Sequence, residues 1–498
     1  MKINSLLHKL YGTNPNDKSS LQPKEAIAYG VTGFGQNFIC TIIGSYITIF
    51  MTDALLFGSV EKGGMFGALD GAMAVAFLML GVRIFDAFND PIMGSIVDRT
   101  RTKWGKCRPF LKWMAIPIAI MTIACFIPLP AKTLSTFIII AALYTLWSVA
   151  YTIADVPYWG LSTCMTNDTV VRGNLLTITR LLCTLGAGLV TVGVPIITSA
   201  VTAKYRDADG NVLPEFIQAN ADTLKYTYFI CAVVFTVVAI PMFFYGFNNT
   251  KERFTSTDAP PSLGHNLKLL FKNKELLLVV ISGVLGGARM VYTYTGGLYF
   301  AKYVLKDEGL YGLITLMVVP GGLVASILVP WMSKKFTKKW AYIGVHVLGA
   351  VVMFAMYFIG YDAPWKLVVC AIGLVLLGIP QGVNNIITYA MIGDTVDYLE
   401  WKTGERGEGI CFAMQTLINK VGMAVGAFVG VMAFSWAGIN PEATPAITPE
   451  GEQTLWNVLI LAGALSMVGT IIPMLFYTIT EKRQAEMVAE IEARKAAK

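Results

Sequence analysis

Phe229-Ile-Cys-Ala-Val-Val-Phe-Thr-Val-Val-Ala-Ile-Pro-Met-Phe-Phe-Tyr-Gly246 carries no charge and no polar stripe. Wound as a helix, it is apolar on every side, as expected for a segment whose surroundings are themselves apolar. Phe137 to Ala150 reads the same way, and several stretches reach the roughly 20 residues that a spanning helix needs. Hydrophobic residues make up 55% of the 498 and charged residues 14%, against about 25% charged in an ordinary soluble domain. The bilayer is therefore the solvent. Lipid satisfies no backbone polar group, so apolar segments of this length are helices rather than open strands.

These patterns predict an all-α membrane protein with twelve transmembrane helices, over 26–52, 65–97, 110–128, 134–165, 174–203, 225–247, 275–304, 311–333, 339–360, 366–399, 409–438 and 454–479. An even count places both termini on one side. The termini and alternate loops hold 26 of the 39 Lys and Arg, and the opposite loops hold 8. Cytoplasmic loops accumulate such charge, so both termini are expected in the cytoplasm of a multi-pass plasma-membrane protein, a bacterial inner membrane being the natural setting. The same excess accounts for the net charge of +7 without a nucleic-acid partner. Met1 to Gln22 is polar and has no apolar core before a small-residue cleavage site. A removed signal peptide is not expected; the first helix directs insertion.

The polar linker Asn248 to Asn273, with Pro260-Pro261, lies near the midpoint. It suggests a cytoplasmic segment 1–25, a six-helix half 26–247, a cytoplasmic linker 248–274, a second half 275–479 and a tail 480–498. The basic loop after the second span has a degraded counterpart in Ser333-Lys-Lys-Phe-Thr-Lys-Lys-Trp340, the sign of two related halves as in major facilitator transporters. The eight cysteines sit at no disulfide or metal spacing and read as small core residues. His8, His265 and His346 are scattered and suggest no metal site or proton relay. Asp207-Ala-Asp-Gly-Asn211, in the external loop 204–225, resembles the start of a calcium loop but lacks the remaining ligands, so a turn is expected.

Apart from the span-end lysines counted with the loops, five basic residues fall inside the expected spans: Arg83, Lys112, Arg180, Arg289 and Lys420. Lys112, near a helix end, can snorkel. Each of the others costs at least about 2.5 kcal/mol at membrane depth and must face a partner or a wet cavity. The acids available are Asp86, Asp90 and Asp155. Asp86 and Asp90 are one helical turn apart, with Asn89 beside them and Arg83 one turn earlier. Like charges so placed are relieved by a bound monovalent cation or proton; a salt-bridge network with Arg83 and Lys420 that only ties helices together is the alternative. Tyr151, Asp155 and Trp159 stand at i, i+4 and i+8, with Thr152 three residues before Asp155. An aromatic face beside a carboxylate suits a sugar ring, though Tyr and Trp also anchor helices at membrane interfaces. The eleventh span adds Gln415, Asn419 and Lys420 to a small-residue face, Gly422-x3-Gly426-x3-Gly430.

Arg83-Ile-Phe-Asp-Ala-Phe-Asn-Asp-Pro-Ile-Met-Gly94, continuing through Asp98-Arg-Thr to Trp104-Gly-Lys-Cys-Arg-Pro109, is similar to a signature of the glycoside-pentoside-hexuronide cation symporters of the major facilitator superfamily. Gly393-Asp-Thr-Val-Asp-Tyr398, continuing through Lys402-Thr-Gly-Glu-Arg406 to Lys420, resembles a second. The resemblance runs from Tyr29 to the last span. It implies a coupling-cation site at Asp86, Asn89 and Asp90 with Thr152 and Asp155 alongside, Lys420 against that site, and sugar recognition by Asp155, Trp159 and Arg180. The family's Lys-Asp pair on the first helix is replaced here by Gln36-Asn37, which loses the charge and keeps hydrogen bonding. Asn385 stands where the family has a stacking tryptophan. Loss of an acid, with Arg180 and Arg289 present, favours an anionic sugar, since a guanidinium matches a carboxylate or sulfonate fork; Arg289 paired with an acid inside the bundle is the other reading.

The function expected is import of a glycoside or hexuronide with sodium or a proton by alternating access, through a monomeric transport unit without a cofactor and with no metal beyond the coupling cation. Substrate contacts are expected from Asn37, Tyr151, Asp155, Trp159, Arg180, Arg289, Asn385 and Gln415, with Arg83 and Lys420 coupling. Asp98, Arg99, Arg101, Arg108, Glu405 and Arg406 are expected to form cytoplasmic ion pairs that gate the cycle, or else only to set topology. A transporter-like sugar sensor without coupled turnover is the alternative. An enzyme is not expected, because no nucleophile-base pair or metal cluster is legible; ATP-driven transport is disfavoured by the lack of a phosphate-binding Gly-x4-Gly-Lys-Ser/Thr loop.

Overall fold

The computed structural model describes residues 8, 10–13, 20–166, 168–207, 210–254, 263–405 and 408–496. Its helices are α1 (Pro23–Ile49), α2 (Gly71–Arg99), α3 (Arg108–Cys125), α4 (Leu134–Met165), α5 (Thr169–Thr202), α6 (Ile217–Asn249), α7 (Leu263–Lys272), α8 (Lys274–Leu285), α9 (Thr295–Tyr299), α10 (Leu310–Ile359), α11 (Pro364–Thr403), α12 (Glu408–Trp436), α13 (Pro449–Leu475) and α14 (Glu481–Ala496). Among the described residues no strand forms beyond the isolated bridges Thr102 to Gly105 and Arg206 to Val212.

Among the described residues, eleven spans are long and apolar enough to cross a membrane. They include two within α10, which turns at Thr337, where φ is +64°, and one that runs from Lys274 to Val304. The twelfth expected span is α2. Its 29 residues extend about 43 Å at 1.5 Å per residue, ample for a hydrocarbon core of about 30 Å. Its first 18 residues, Gly71 to Phe88, are apolar apart from Arg83 and Asp86. The all-helical, twelve-span architecture therefore stands.

Two contact units divide the chain, one made of Met1–Gly71, Phe88–Pro260 and Pro441–Thr444, the other of Ala72–Ala87, Pro261–Asn440 and Pro445–Lys498. In the first, α1 packs on α5 and α6, and α3 on α4. Tyr29 stacks on Tyr158 with centroids 4.7 Å apart. Buried Trp147 donates its indole N–H to Thr122 at 2.9 Å, as a buried indole must find an acceptor. In the run expected as a turn, the Asn211 backbone amide donates to the Asp207 carboxylate at 2.8 Å, and 208–209 lie outside the described residues. Because α6 starts at Ile217, the loop expected over 204–225 is shorter.

In the second unit, the single helix expected over 275–304 is broken. After α8 the chain runs through a 3-10 segment, Gly287–Thr293, then α9 and a π turn, Phe300–Val304. Paired glycines, Gly286-Gly287 and Gly296-Gly297, flank the irregular stretch, and the glycine face of α12 packs on it. A Cβ at Gly287 would stand 3.0 Å from the Gly422 Cα, and one at Gly430 would stand 2.7 Å from the Gly296 amide nitrogen. Close approach of backbones is what small-residue faces permit. The tail is also more ordered than a short polar extension. Helix α14 buries Met487 and Ile491, and Gln484 donates to Asp397 at 3.0 Å. The Trp401 indole donates to Glu490 at 2.7 Å, and Arg494 to the Trp401 carbonyl at 2.8 Å.

Candidate functional site

The first unit brings α1, α4 and α5 together around one carboxylate. Asp155 accepts hydrogen bonds from the Gln36 amide at 2.6 Å and from the Trp159 indole, one turn along α4, at 3.1 Å. The Gln36 amide also reaches the Tyr151 hydroxyl at 3.3 Å. The Arg180 guanidinium lies over the Trp159 ring, 4.1 Å from its centroid, a cation-π arrangement that holds both planar groups in register. Tyr151 stacks on Trp147 at 5.1 Å and 18°, so its ring belongs to an internal ladder along α4 and its hydroxyl is the part left to face the site. Gln36 is buried, and among the described residues its carbonyl Oε1 has no hydrogen-bond partner. A buried acceptor left open costs about 1–3 kcal/mol, and a sugar hydroxyl would relieve it.

Of the pair Gln36-Asn37, Gln36 is the residue that reaches Asp155. Asn37 donates to the Gly33 carbonyl of its own helix at 2.8 Å. Gln36 is not among the contacts expected from the sequence, although it is adjacent to Asn37 and only helical facing separates the two.

Next to this platform, the Thr152 hydroxyl donates to Asp90 at 3.3 Å and ties α4 to α2. Asn89 has its amide nitrogen buried without a partner. Asp86 is buried in the second unit's part of α2, 3.5 Å from the Arg83 guanidinium. Asp86 thus has an ion-pair partner on its own helix, and Asp90 accepts from a hydroxyl of α4. Carboxylate, hydroxyl and amide oxygens are donors suited to hard cations.

In the second unit, Arg289 sits on the 3-10 segment. It donates to the Gly286 carbonyl at 2.7 Å, and its Nε is buried without a partner. Among the described residues neither Arg180 nor Arg289 forms an ion pair, so the reading in which Arg289 is matched by an acid finds no such acid here. Gln415 donates to Asn419 at 3.3 Å and keeps its Oε1 buried and open. Lys420 is half-buried on α12. Asn385 is exposed on α11, whereas Asn384 is buried and accepts from Thr388 at 3.2 Å. His346, set aside as scattered, is fully buried, with Nδ1 2.8 Å from the Tyr342 carbonyl and Nε2 without a partner.

Of the expected gating residues, Arg406 lies outside the described residues, as does the side chain of Asp98. Arg99 and Glu405 are exposed. Arg101 donates to the Thr100 carbonyl at 3.0 Å. The Arg108 guanidinium donates to the Phe247 carbonyl at 2.6 Å and lies 5.1 Å from the Phe247 ring centroid. The strong contact in this region involves Glu252, which sequence reasoning left inside a linker. Its carboxylate accepts the backbone amides of Lys106, Cys107 and Arg108 at 2.8, 2.8 and 2.7 Å. Arg253 beside it pairs with Glu25 at 2.8 Å. The cysteines are not all isolated either: Cys107 and Cys164 meet here although 57 residues separate them in the chain.

The profile of a family described as MFS/sugar transport protein matches residues 28–481. The chain is 28% identical to a glucuronide carrier protein homolog of Escherichia coli over 85% of this chain and 88% of the relative. It is 26% identical to an isoprimeverose transporter of Lactiplantibacillus pentosus over 96% and 93%. A solved D-xylose-proton symporter shares the fold with a TM-score of 0.59 and 13% identity, over 90% of this chain and 96% of that one.

Proposed function

The chain belongs to the MFS/sugar transport protein family, a family of membrane transporters and not of enzymes, and from that premise we propose that it imports an anionic glycoside, a hexuronide or sulfonated sugar, with sodium or a proton. The observation that carries this reading is the pair of arginines, Arg180 and Arg289, that have no carboxylate partner among the described residues. A guanidinium at membrane depth must face a counter-charge or a wet cavity; Arg180 is exposed and Arg289 half-buried, and an anionic ligand entering such a cavity would supply the missing charge. The glucuronide carrier protein homolog among its relatives supports a carboxylated sugar.

In this reading Trp159 carries the C–H face of the pyranose, and Asp155 and Gln36 take its hydroxyls. Arg180, fixed on the Trp159 ring, meets the carboxylate. Asp90, Thr152 and Asn89 hold the cation, with Asp86 and Asp155 completing the acidic set and Arg83 and Lys420 responding to its occupancy. Asp155 couples the two because it stands one turn from Thr152 on the same helix. The transport unit is a monomer with halves 26–247 and 275–479, both termini in the cytoplasm, cycling by alternating access.

Charge balance sharpens the test. One cation moving with a neutral glycoside gains about 2.3 kcal/mol per 100 mV of membrane potential. One cation moving with a uronide carries no net charge, so the potential contributes nothing. Proteoliposome uptake of a glucuronide and its neutral glucoside, with and without an imposed potential, separates the cases. The expected result is glucuronide preference that Arg180→Gln abolishes; equal handling of the two sugars would sink the anionic reading.

A further inference from the structure

We propose that Cys107, Cys164 and Glu252 form a binding site for a thiophilic divalent metal ion such as zinc, at the junction of three segments of the first unit. The Sγ atoms of both cysteines and a carboxylate oxygen of Glu252 all lie within 4.8 Å of one another. The cysteines are 1% and 2% exposed, and Glu252 is half-buried. Zinc bonds of about 2.3 Å to sulfur and 2.0–2.2 Å to oxygen place tetrahedral donors roughly 3.4–3.8 Å apart. Rotations of side chains that already face each other close the difference.

The backbone pre-arranges the carboxylate. Three successive amides hold it against Cys107, and Oε2 accepts only one of them, from Lys106, so it retains a lone pair for a metal. A Cβ at Gly105 would stand 2.4 Å from that same oxygen, and the residue has φ +109°. Only glycine there leaves the carboxylate its place. Two thiolates and one carboxylate make a three-ligand set with a fourth position for water, and soft sulfur selects zinc over the hard cation proposed for transport. Binding releases the two thiol protons and ties the loop before α3, the end of α4 and the segment after α6 to one ion. The inference rests on the geometry of the first unit and is independent of the substrate.

The test is titration of the purified full-length chain with cobalt(II), with zinc in competition. The expected result is one cobalt per chain with a sulfur-to-cobalt charge-transfer band and tetrahedral visible bands, lost in Cys107→Ser and in Cys164→Ser. Absence of the band in the wild type, or its persistence in both variants, would overturn the site. Should the variants fail to fold, X-ray absorption on the zinc-loaded wild type decides the matter: two sulfur ligands are expected, and one or none overturns the assignment.

Discussion

Replacing Gln36 with leucine separates binding from stability. The Gln36 amide donates to the Asp155 carboxylate at 2.6 Å, and hydrogen bonds to charged groups contribute about 1.5–3 kcal/mol. Leucine removes that bond and with it one of the groups that aim Asp155 toward the platform. It also removes the buried Oε1 that has no partner, whose desolvation costs about 1–3 kcal/mol. The two terms nearly cancel for the empty protein, because leucine is close to glutamine in volume and the site is buried. They do not cancel for the sugar complex, in which the hydroxyl that would pair with Oε1 is lost as well. The Asp155 contact is present with and without sugar, so the change in KM comes from the sugar hydroxyl that loses Oε1, about 0.5–1.5 kcal/mol, or about 2- to 12-fold at 1.4 kcal/mol per factor of ten. The effect falls on KM, with the maximal rate changed less. Uptake kinetics in proteoliposomes and thermal unfolding in detergent measure the two sides. An unchanged KM, or a loss of uptake that only tracks a fall in unfolding temperature, would refute the reasoning.

Asp90→Asn keeps the Thr152 contact possible but removes the charge; it should insert normally and still exchange sugar in counterflow while losing ion-driven accumulation, and undiminished accumulation would falsify the coupling role. Gly105→Ala places a Cβ 2.3 Å from the Glu252 Cδ at a φ of +109°, with a backbone cost of about 1–2 kcal/mol. Hydrogen exchange over 104–110 should accelerate in that variant as the amides of 106–108 lose their acceptor, and retained protection would contradict the cradle.

Much of this architecture is legible because lipid makes errors expensive. A charge at membrane depth has to be explained, so Arg83, Asp86, Asp90, Asp155, Arg180, Arg289 and Lys420 stand out by residue type and position alone. The break between Leu285 and Thr295 does not, because a 3-10 segment is as apolar as the helix it interrupts and the glycines beside it also serve packing. Gln36 and Asn37 differ by one step around a helix, and only the position of α4 decides which of them reaches Asp155. Glu252 is the hardest to foresee. Its partners are three backbone amides, which leave no trace in residue identity, and it reaches across more than 140 positions in the chain. Cys107 and Cys164 are hidden for the same reason, since spacing along the chain says nothing of a meeting made by the fold.

The seam between α12 and the broken segment at Gly287 to Gly297 has a mechanical meaning. Where Gly422, Gly426 and Gly430 touch Gly287, Tyr294 and Gly296, the contact is mostly backbone on backbone, with few rotamers to take up slack. Packed interiors transmit strain where they cannot compress. A displacement of the segment bearing Arg289 is therefore passed with little loss to α12, and α12 carries Gln415 and Lys420. The glycines would then tie the segment bearing Arg289 stiffly to the helix bearing Lys420 in the proposed cycle.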